Sequence, residues 1–276
     1  MPGIRGGAYP VHIPVRKRLL QATVLASLFA PFGTEASAQA FASRDVAPSA
    51  ADATASYAVK VGERANYDVE LKGRGVGHGS LEVLGLETVN GHQTLHASLK
   101  VSAGLLFAKV NDEFDSWFDP NRFYSRRFVQ NQRELTHQRS KDYAIAPEQR
   151  SVHEKFTGDV DSLATSEPLD DVSFLFYVRT LPLRVGDVDT IPRYFKPGRD
   201  VIIRVLRKER VTVPAGTFSV IVVQPTITNA GGLFGQGGKA EVYFTDDASR
   251  TLVMLKSSVP VLGSLALTLR DVSAAK

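Results

Sequence analysis

The chain of 276 residues contains no cysteine, one tryptophan and two methionines. The absence of cysteine excludes disulfide bonds, thiol nucleophiles and an N-terminal lipid attached through sulfur. A hydrophobic core must therefore stabilise the protein. Long apolar runs are also missing, because the stretch 19–32 is broken by Pro31 and is shorter than the about 20 residues that a membrane-spanning helix needs.

Sequence signals of catalysis are sparse as well. No serine lies in a Gly-x-Ser-x-Gly motif. His92 and His96 are the only closely spaced pair of histidines, which is too few ligands for a zinc site. We therefore expect no catalytic residues, no cofactor and no metal, and a protein that is not an enzyme. A glycan hydrolase acting through Asp115 and Asp119 is the enzymatic alternative.

The N-terminal region has the layout of an export signal. Basic residues 16–18 precede the apolar run, and small residues then lead to Ala40. This order predicts a secretory signal peptide over residues 1–40, with a membrane anchor as the alternative. We predict a disordered tether over 41–56 and a single β-rich domain over 57–276. The mature protein is then expected in the periplasm without a transmembrane anchor.

Most of the positive charge belongs to the predicted signal peptide. The whole chain has a formal charge of +4, and residues 1–40 contain four basic residues and one acid. The remaining chain therefore carries a formal charge of +1. So small an excess excludes a general affinity for nucleic acid.

Apolar and polar residues alternate over most of the chain, which predicts β-strands. Residues 210–224 form two β-rich runs joined at 214–216, and the apolar residues of 218–223 occupy both faces. This pattern favours a hairpin whose second strand lies at the centre of a sheet. Glycines at every second position from 73 to 79 favour a sharp bend or a close approach of another group to the backbone.

Only residues 168–183 have a clear helical pattern. Asp170 or Asp171 can cap the N-terminus, apolar residues recur at helical spacing over 172–176, and Pro182 stops the helix. A single amphipathic helix in a β-rich chain is expected to cover one sheet face. We therefore predict a mainly β fold, in which a strongly curved antiparallel sheet forms a half-barrel or open barrel with one covering α-helix.

Large apolar residues occur at two places where polar turns are expected. Leu105 and Phe107 follow a predicted strand, and Leu233 and Phe234 lie in a glycine-rich loop. If these side chains are exposed, they form an apolar lip that contacts a ligand or a partner. The alternative for Leu105 and Phe107 is a loop that folds back onto the core.

Two further residues and one basic stretch are candidates for binding. Trp117 falls among acids on the predicted wet face, which suits a stacking wall for a sugar ring, whereas packing against a long side chain is the alternative. Arg179 is a candidate partner for a ligand headgroup, or it pairs with an acid and fixes the helix. The basic stretch 122–141 is expected to pair with the acids of 112–119, with lipid headgroups or anionic glycans as alternatives.

Positions over most of the mature chain resemble one bacterial family. They include a glycine–acid pair before the first strand, a helix motif, a Val-Pro-Ala-Gly-Thr-Phe string and closing positions in the last strands: Gly62, Glu63, Tyr67, Asp171, Ser173, Tyr177, Arg179, Leu183, Gly186, 213–218, Pro225, Asp247, Gly263 and Leu269. The pattern resembles the bacterial domain-of-unknown-function family 3108. The resemblance implies an exported protein of Gram-negative bacteria and brings no activity.

A looser likeness concerns the last strands. A strand, an acidic turn, Arg250 and another apolar strand are similar to the arrangement in periplasmic lipoprotein carriers. The likeness implies a curved antiparallel sheet wrapped over helices around a lipid cavity, and it is architectural only.

We predict a soluble, non-enzymatic periplasmic protein that binds an amphiphilic envelope molecule, either a lipid or a lipid-linked glycan. The ligand would lie on the concave face of the sheet, with the binding residues Leu105, Phe107, Trp117, Arg179, Leu233 and Phe234. The alternative is an envelope scaffold or interaction module with a filled core, whose partner is another envelope protein. A ligand-sized apolar cavity of about 300 Å³ or more distinguishes the first function from the second.

Overall fold

The computed structural model describes residues 59–105, 108–134, 137–228, 240–259 and 263–273. These residues form fourteen strands and one helix. Eight strands precede the helix: β1 (Arg64–Leu71), β2 (Arg74–Val89), β3 (His92–Leu105), β4 (Ala108–Phe118), β5 (Ser125–Glu134), β6 (His137–Ala146), β7 (Ser151–Glu154) and β8 (Val160–Ser162). The helix and the later strands are α1 (Asp171–Val178), β9 (Val188–Ile191), β10 (Val201–Val213), β11 (Gly216–Ile227), β12 (Glu241–Thr245), β13 (Leu252–Val259) and β14 (Gly263–Ser273).

All fourteen strands belong to one antiparallel sheet. The strand order is β8-β7-β6-β5-β4-β3-β2-β1-β14-β13-β12-β11-β10-β9, so that β1 pairs with β14 and joins the two halves. The sheet is not closed into a barrel, because β8 and β9 are its two edge strands. The predicted fold class is confirmed: the protein is mainly β, with a curved open sheet and one covering helix.

Strand direction defines two rims of this sheet. Because neighbouring strands are antiparallel, β3, β5 and β11 all end at one rim, and β4, β6, β10 and β12 begin there. We call this edge the loop rim. The ends of α1 are held near the opposite rim, by Ser116 and Ser125 at the N-terminus and by Glu63 and Ser249 at the C-terminus. The helix therefore crosses the concave face away from the loop rim.

The hydrophobic core lies between α1 and the concave face of the sheet. Val172, Leu175 and Phe176 of the helix are buried together with Phe118 of β4 and Phe244 of β12. The helix is shorter than the predicted 168–183, since it begins after the cap residue Asp170 and gives way to turns after Val178. Burial of one helix against both halves of the sheet holds the open sheet in its curved form.

The β10–β11 hairpin confirms the interpretation of residues 210–224. Val213 pairs with Gly216 across a two-residue turn, and Gly216 has a φ of +132° that favours glycine. Residues 220–223 are buried on both faces, and β11 pairs with β10 on one side and β12 on the other. It is a central strand, as predicted.

The glycines of β2 allow a close approach of β3. A Cβ atom added at Gly77 would lie 1.9 Å from the carbonyl oxygen of Ser102, and one at Gly79 would lie 2.9 Å from that of Lys100. No side chain can occupy the first position without moving the backbone of β3. The predicted close backbone approach is thus present.

The predicted signal peptide, residues 1–40, and the predicted tether, residues 41–56, lie outside the described residues. In the part of the chain that is described, no helix combines the length and the apolar character needed to cross a membrane.

Candidate functional site

A buried polar network fixes the N-terminus of α1. Asp170 is fully buried, and its Oδ1 accepts hydrogen bonds from the backbone N–H groups of Val172 and Ser173, at 2.8 and 2.9 Å. Its Oδ2 accepts a 2.5 Å hydrogen bond from the hydroxyl of Ser116 on β4. The Asp170 N–H lies 3.0 Å from the hydroxyl oxygen of Ser125 on β5 and 2.9 Å from that of Ser173. The cap therefore ties the helix to two strands.

Arg179 fixes the C-terminal end of the same helix. Its guanidinium donates hydrogen bonds to Glu63 Oε1 at 2.8 Å and to the carbonyl oxygen of Ser249 at 3.1 Å, and the residue is 5% exposed. Burial lowers the pKa of this guanidinium to about 9 and raises the pKa of Glu63. Arg179 thus forms an ion pair with an acid, Glu63, which was the alternative to a contact with a ligand headgroup. A role of Arg179 in ligand binding stays a prediction.

One face of α1 points toward the loop rim. Asp171, Leu175 and Val178 lie four and three residues apart, which places them on the same side of the helix. The Asp171 carboxylate accepts hydrogen bonds from the Tyr194 hydroxyl at 3.1 Å and from the Gln130 amide at 3.5 Å. Burial, together with the nearby charge of Asp170, raises the pKa of Asp171 to about 6.

Basic residues surround this buried acid. The ammonium of Lys196 lies 4.9 Å from the ring centre of Tyr143 and 5.3 Å from that of Phe195. Its pKa is lowered by burial and by the positive charges of Arg199, Arg139 and Lys141, and it is raised by the charge of Asp171. Each of these groups is therefore close enough to Lys196 to change its protonation.

Strand register places two of these bases on the concave face. Lys141 and Arg139 of β6 are paired with Gln130 and Gln132 of β5, which are buried. Directly paired residues share a sheet face, and the next inward residue of β6 is the buried Tyr143. The concave side of β5 and β6 thus changes from apolar to polar and basic toward the loop rim.

The other half of the concave face is apolar. Phe174, Leu175 and Val178 of α1 line a crevice with side chains from β10, β11 and β12: Ile203, Val223, Pro225, Val242 and Phe244. The crevice encloses about 190 Å³ of space between its atoms, none of it wide enough for a water molecule. Without room for a water molecule, the crevice does not provide the apolar cavity of about 300 Å³ or more that we set for a ligand.

The residues of the predicted lip follow β3 and β11 in the sequence, and these strands end at the loop rim, but most of the lip lies outside the described residues. Leu105 is the last residue of β3 and is paired with Ala108, the first residue of β4. The side chain of Leu105 and the residues Phe107, Leu233 and Phe234 are not among those that the structure describes. Their role as an apolar lip stays a prediction.

Trp117 is enclosed on the outer face of the sheet. Its ring stacks on His96, with ring centres 4.2 Å apart, and the guanidinium of Arg127 lies 4.6 Å from its ring centre. The indole N–H donates a 2.7 Å hydrogen bond to Glu87, and the residue is 7% exposed. The indole therefore packs against a long side chain, Arg127, which was the alternative to a stacking wall for a sugar ring. It does so on the face of the sheet opposite to α1. A ligand-binding role for Trp117 stays a prediction.

The pairing predicted for the basic stretch 122–141 is wrong for four of its basic residues. Arg122 pairs with Glu167, and Lys141 pairs with Glu154. Arg126 pairs with Glu148, and Arg127 forms two hydrogen bonds with Asp142, at 3.0 and 2.9 Å. The β4–β5 register places Val129 opposite Asp115, so that these arginines reach acids on the other side of β5.

The two acids of the hydrolase alternative make separate contacts. Asp115 lies 3.2 Å from His96 Nε2 on the outer face. Asp119 accepts hydrogen bonds from the backbone N–H groups of Asn121 and Arg122 in the β4–β5 turn. Both carboxylates thus have local partners, as structural acids do.

A second depression lies on the outer side of β14, β1, β2 and β3. It has a volume of about 400 Å³ and is lined by polar groups, among them Lys100 and Arg270. Lys100 pairs with Glu113 at 2.6 Å and Arg270 pairs with Asp68 at 2.9 Å. We call it the outer groove.

Asp171, Tyr194, Lys196 and Arg199 were not candidates from the sequence. Asp171 has the signature of a helix cap, and the segment 196–199 has that of a turn. The alternation of Arg139, Lys141 and Tyr143 is a usable signal, because residues of one parity share a strand face.

A family model covers nearly all of the described domain. The model of DUF3108, described as a protein of unknown function, matches residues 66–270. The chain belongs to the DUF3108 family. The DUF3108 match includes α1, the β10–β11 hairpin and both halves of the concave face. The resemblance inferred from the sequence is thereby confirmed.

Comparison of this DUF3108 protein with other proteins gives likeness in structure only. A β-barrel-like protein of DUF1849 from Brucella abortus is 11% identical, with a TM-score of 0.49, over 78% of this chain and 98% of that chain. A candidate exported protein with a YmcC-like fold from Bacteroides fragilis is 10% identical, with a TM-score of 0.32, over 78% of this chain and 97% of that chain. No curated protein matches the sequence.

Proposed function

We propose that this DUF3108 protein is a non-enzymatic periplasmic protein that binds an amphiphilic envelope molecule, a lipid or a lipid-linked glycan. The ligand lies on the concave face of the sheet, between α1 and the loop rim. The export signal predicted in residues 1–40 supports the compartment. The local hydrogen bonds of Asp115 and Asp119 support a protein without hydrolase activity.

One observation carries the proposal: a single face of α1 is polar at one end and apolar at the other. Asp171 lies among basic and amide groups, whereas Leu175 and Val178 line the apolar crevice. The residues 171–178 span about 10 Å along the helix axis at 1.5 Å per residue. A headgroup and the first methylene groups of a chain fit this separation.

The crevice must widen to accept an acyl chain. It has no room even for a water molecule, and its walls are side chains from α1 and from β10 to β12. Burial of each methylene contributes about 0.8 kcal/mol, so a chain with several buried methylenes offsets a small shift of the helix. Movement of α1 relative to β10–β12 is therefore part of the proposal.

The narrow crevice favours one rival function. A filled core suits an envelope scaffold or interaction module, which would bind a protein partner through its surface. Such a module gains nothing from a concave face with separate polar and apolar ends.

Native mass spectrometry of the protein purified from the periplasm tests the proposal. We expect a mass above that of the mature chain, with release of a lipid or lipid-linked glycan on activation. A bare mass that persists after incubation with envelope lipids would refute ligand binding and favour the scaffold function.

A further inference from the structure

The concave face has an excess of positive charge where it approaches the loop rim. Lys196 and Arg199 lie near Asp171, and Arg139 and Lys141 of β6 lie near Lys196. Lys141 is paired with Glu154 at 3.1 Å. Among the described residues, no carboxylate lies within 4.0 Å of a charged nitrogen of Arg139, Lys196 or Arg199. Three cations thus lie around the buried acid Asp171, while the carboxylate of its buried neighbour Asp170 is taken up by the hydrogen bonds of the helix cap.

Burial strengthens the electrostatic interaction between Asp171 and Lys196. Asp171 is buried and Lys196 is half-buried, so water screens their charges poorly. The depressed pKa of Lys196 has the same origin, since burial and the neighbouring cations disfavour its charged form. An incoming anion would relieve this repulsion.

We propose that the amphiphile has an anionic headgroup, a phosphate or a carboxylate, held by Lys196, Arg199 and Arg139. This inference rests on the proposed function and specifies its ligand. Asp171 is the internal anion that holds these cations before the ligand arrives. Ammonium and guanidinium groups are the usual partners of phosphate and carboxylate oxygens.

The position of the cluster agrees with an amphiphile rather than a soluble anion. Asp171 is one helical turn from Leu175, which lines the apolar crevice. A headgroup at the cluster therefore directs its chain into the crevice, while the headgroup stays near the loop rim. A soluble anion would contact only the basic cluster and would leave the apolar crevice empty.

Isothermal titration calorimetry with three probes tests the inference. The probes are two lysolipids of the same acyl chain, one with an anionic phosphoglycerol headgroup and one with zwitterionic phosphocholine, and inorganic phosphate. We expect the anionic lysolipid to bind about tenfold or more tightly than the zwitterionic one, because both carry a phosphate but the choline of the zwitterionic probe adds a positive charge that the basic cluster repels. Inorganic phosphate alone should bind far more weakly than either lysolipid.

The variant Lys196→Gln/Arg199→Gln removes two charges of the cluster. We expect it to lose the preference for the anionic lysolipid and to keep its affinity for the zwitterionic one. The matched control, Lys100→Gln/Arg270→Gln, removes the same charge from the outer groove and should bind like the unmodified protein. Thermal unfolding checks that both variants are folded.

The variant Asp171→Asn supplies a second test that does not remove a cation. An amide still accepts the hydrogen bond from Tyr194, while the competing negative charge disappears. We expect tighter binding of the anionic lysolipid and unchanged binding of the zwitterionic one.

The outcomes separate the two levels of the proposal. Equal affinity for both lysolipids would overturn the anionic headgroup and leave amphiphile binding intact. No binding of either lysolipid would overturn both. Loss of lysolipid binding in the outer-groove control would place the binding site on the outer face and contradict the proposal. Inorganic phosphate that binds as tightly as the lysolipids would mean that the basic cluster binds a soluble anion instead.

Discussion

The N-cap of α1 offers a sharp test of how the helix is held on the concave face. In Asp170→Ala, the N–H groups of Val172 and Ser173 lose their acceptor, and the buried hydroxyl of Ser116 loses its partner. Loss of an N-cap costs about 0.5–2 kcal/mol. A buried hydroxyl left without a partner costs about 1–3 kcal/mol. We therefore expect the free energy of unfolding to fall by about 2–4 kcal/mol.

Asp170→Asn is the matched control for this change. The amide oxygen can still accept both backbone hydrogen bonds, and the amide NH₂ can donate to the hydroxyl of Ser116. Burial raises the pKa of Asp170, so the neutral amide also avoids the cost of a buried charge. We expect a loss below about 1 kcal/mol.

Urea unfolding followed by far-UV circular dichroism measures both variants, with the m value as a check on two-state behaviour. We expect the unmodified protein to have the highest free energy of unfolding, Asp170→Asn a slightly lower one and Asp170→Ala the lowest. If Ala costs less than about 0.5 kcal/mol, or if Asn costs as much as Ala, the cap does not hold the helix as we describe.

Three further predictions concern the sheet, the buried acid and the outer face. Gly77→Ala should cost about 3 kcal/mol or more, or prevent folding, because its Cβ would overlap a backbone oxygen of β3. As the pH rises from 4 to 6, the unmodified protein should lose about 1–3 kcal/mol of stability relative to Asp171→Asn, whose amide does not titrate. The reason is that the native carboxyl, with a pKa raised from 3.8 to about 6, binds protons that the unfolded state has released. The fluorescence of Trp117 should titrate with a midpoint above the ordinary pKa of histidine, since the contacts of His96 with two carboxylates outweigh its burial and raise its pKa.

Each of these predictions has its own control. Gly85→Ala places its Cβ in open space on the same strand and should be nearly neutral, so equal losses at the two glycines would contradict the close approach of β3. A parallel pH dependence of stability in Asp171→Asn and the unmodified protein would contradict the raised pKa. The fluorescence titration should disappear in His96→Gln, and its persistence there would mean that another group quenches the indole.

The fold could be predicted largely from local patterns. Alternation along β10 and β11, and the Pro214–Gly216 turn, predict a hairpin because turn geometry and side-chain parity are local properties. The pairing of β1 with β14 has no such signal, since it joins residues about 200 positions apart. The short extent of α1 also depends on tertiary contacts, because Ser116 and Ser125 complete its cap.

The candidate site could be predicted only in part. Arg139 and Lys141 share a parity with Tyr143, and this predicts one face that changes from basic to apolar along β6. Lys196 reaches the same place from a segment that reads as a turn, so only the packed chain brings it near Asp171. Parity predicts Trp117 on the wet face, opposite to Phe114 and Phe118. The indole does lie on the face away from α1, but it is 7% exposed, because the β4–β5 register brings Arg127 over it.

Photo-crosslinking with an anionic lysolipid that has a diazirine in its acyl chain tests the central claim most directly. Peptide mapping of the labelled protein should find the crosslinks on α1 and on the crevice strands β10–β12, and Lys196→Gln/Arg199→Gln should reduce the yield. Crosslinks on the outer groove, or a yield that the variant does not change, would contradict binding of an anionic amphiphile on the concave face.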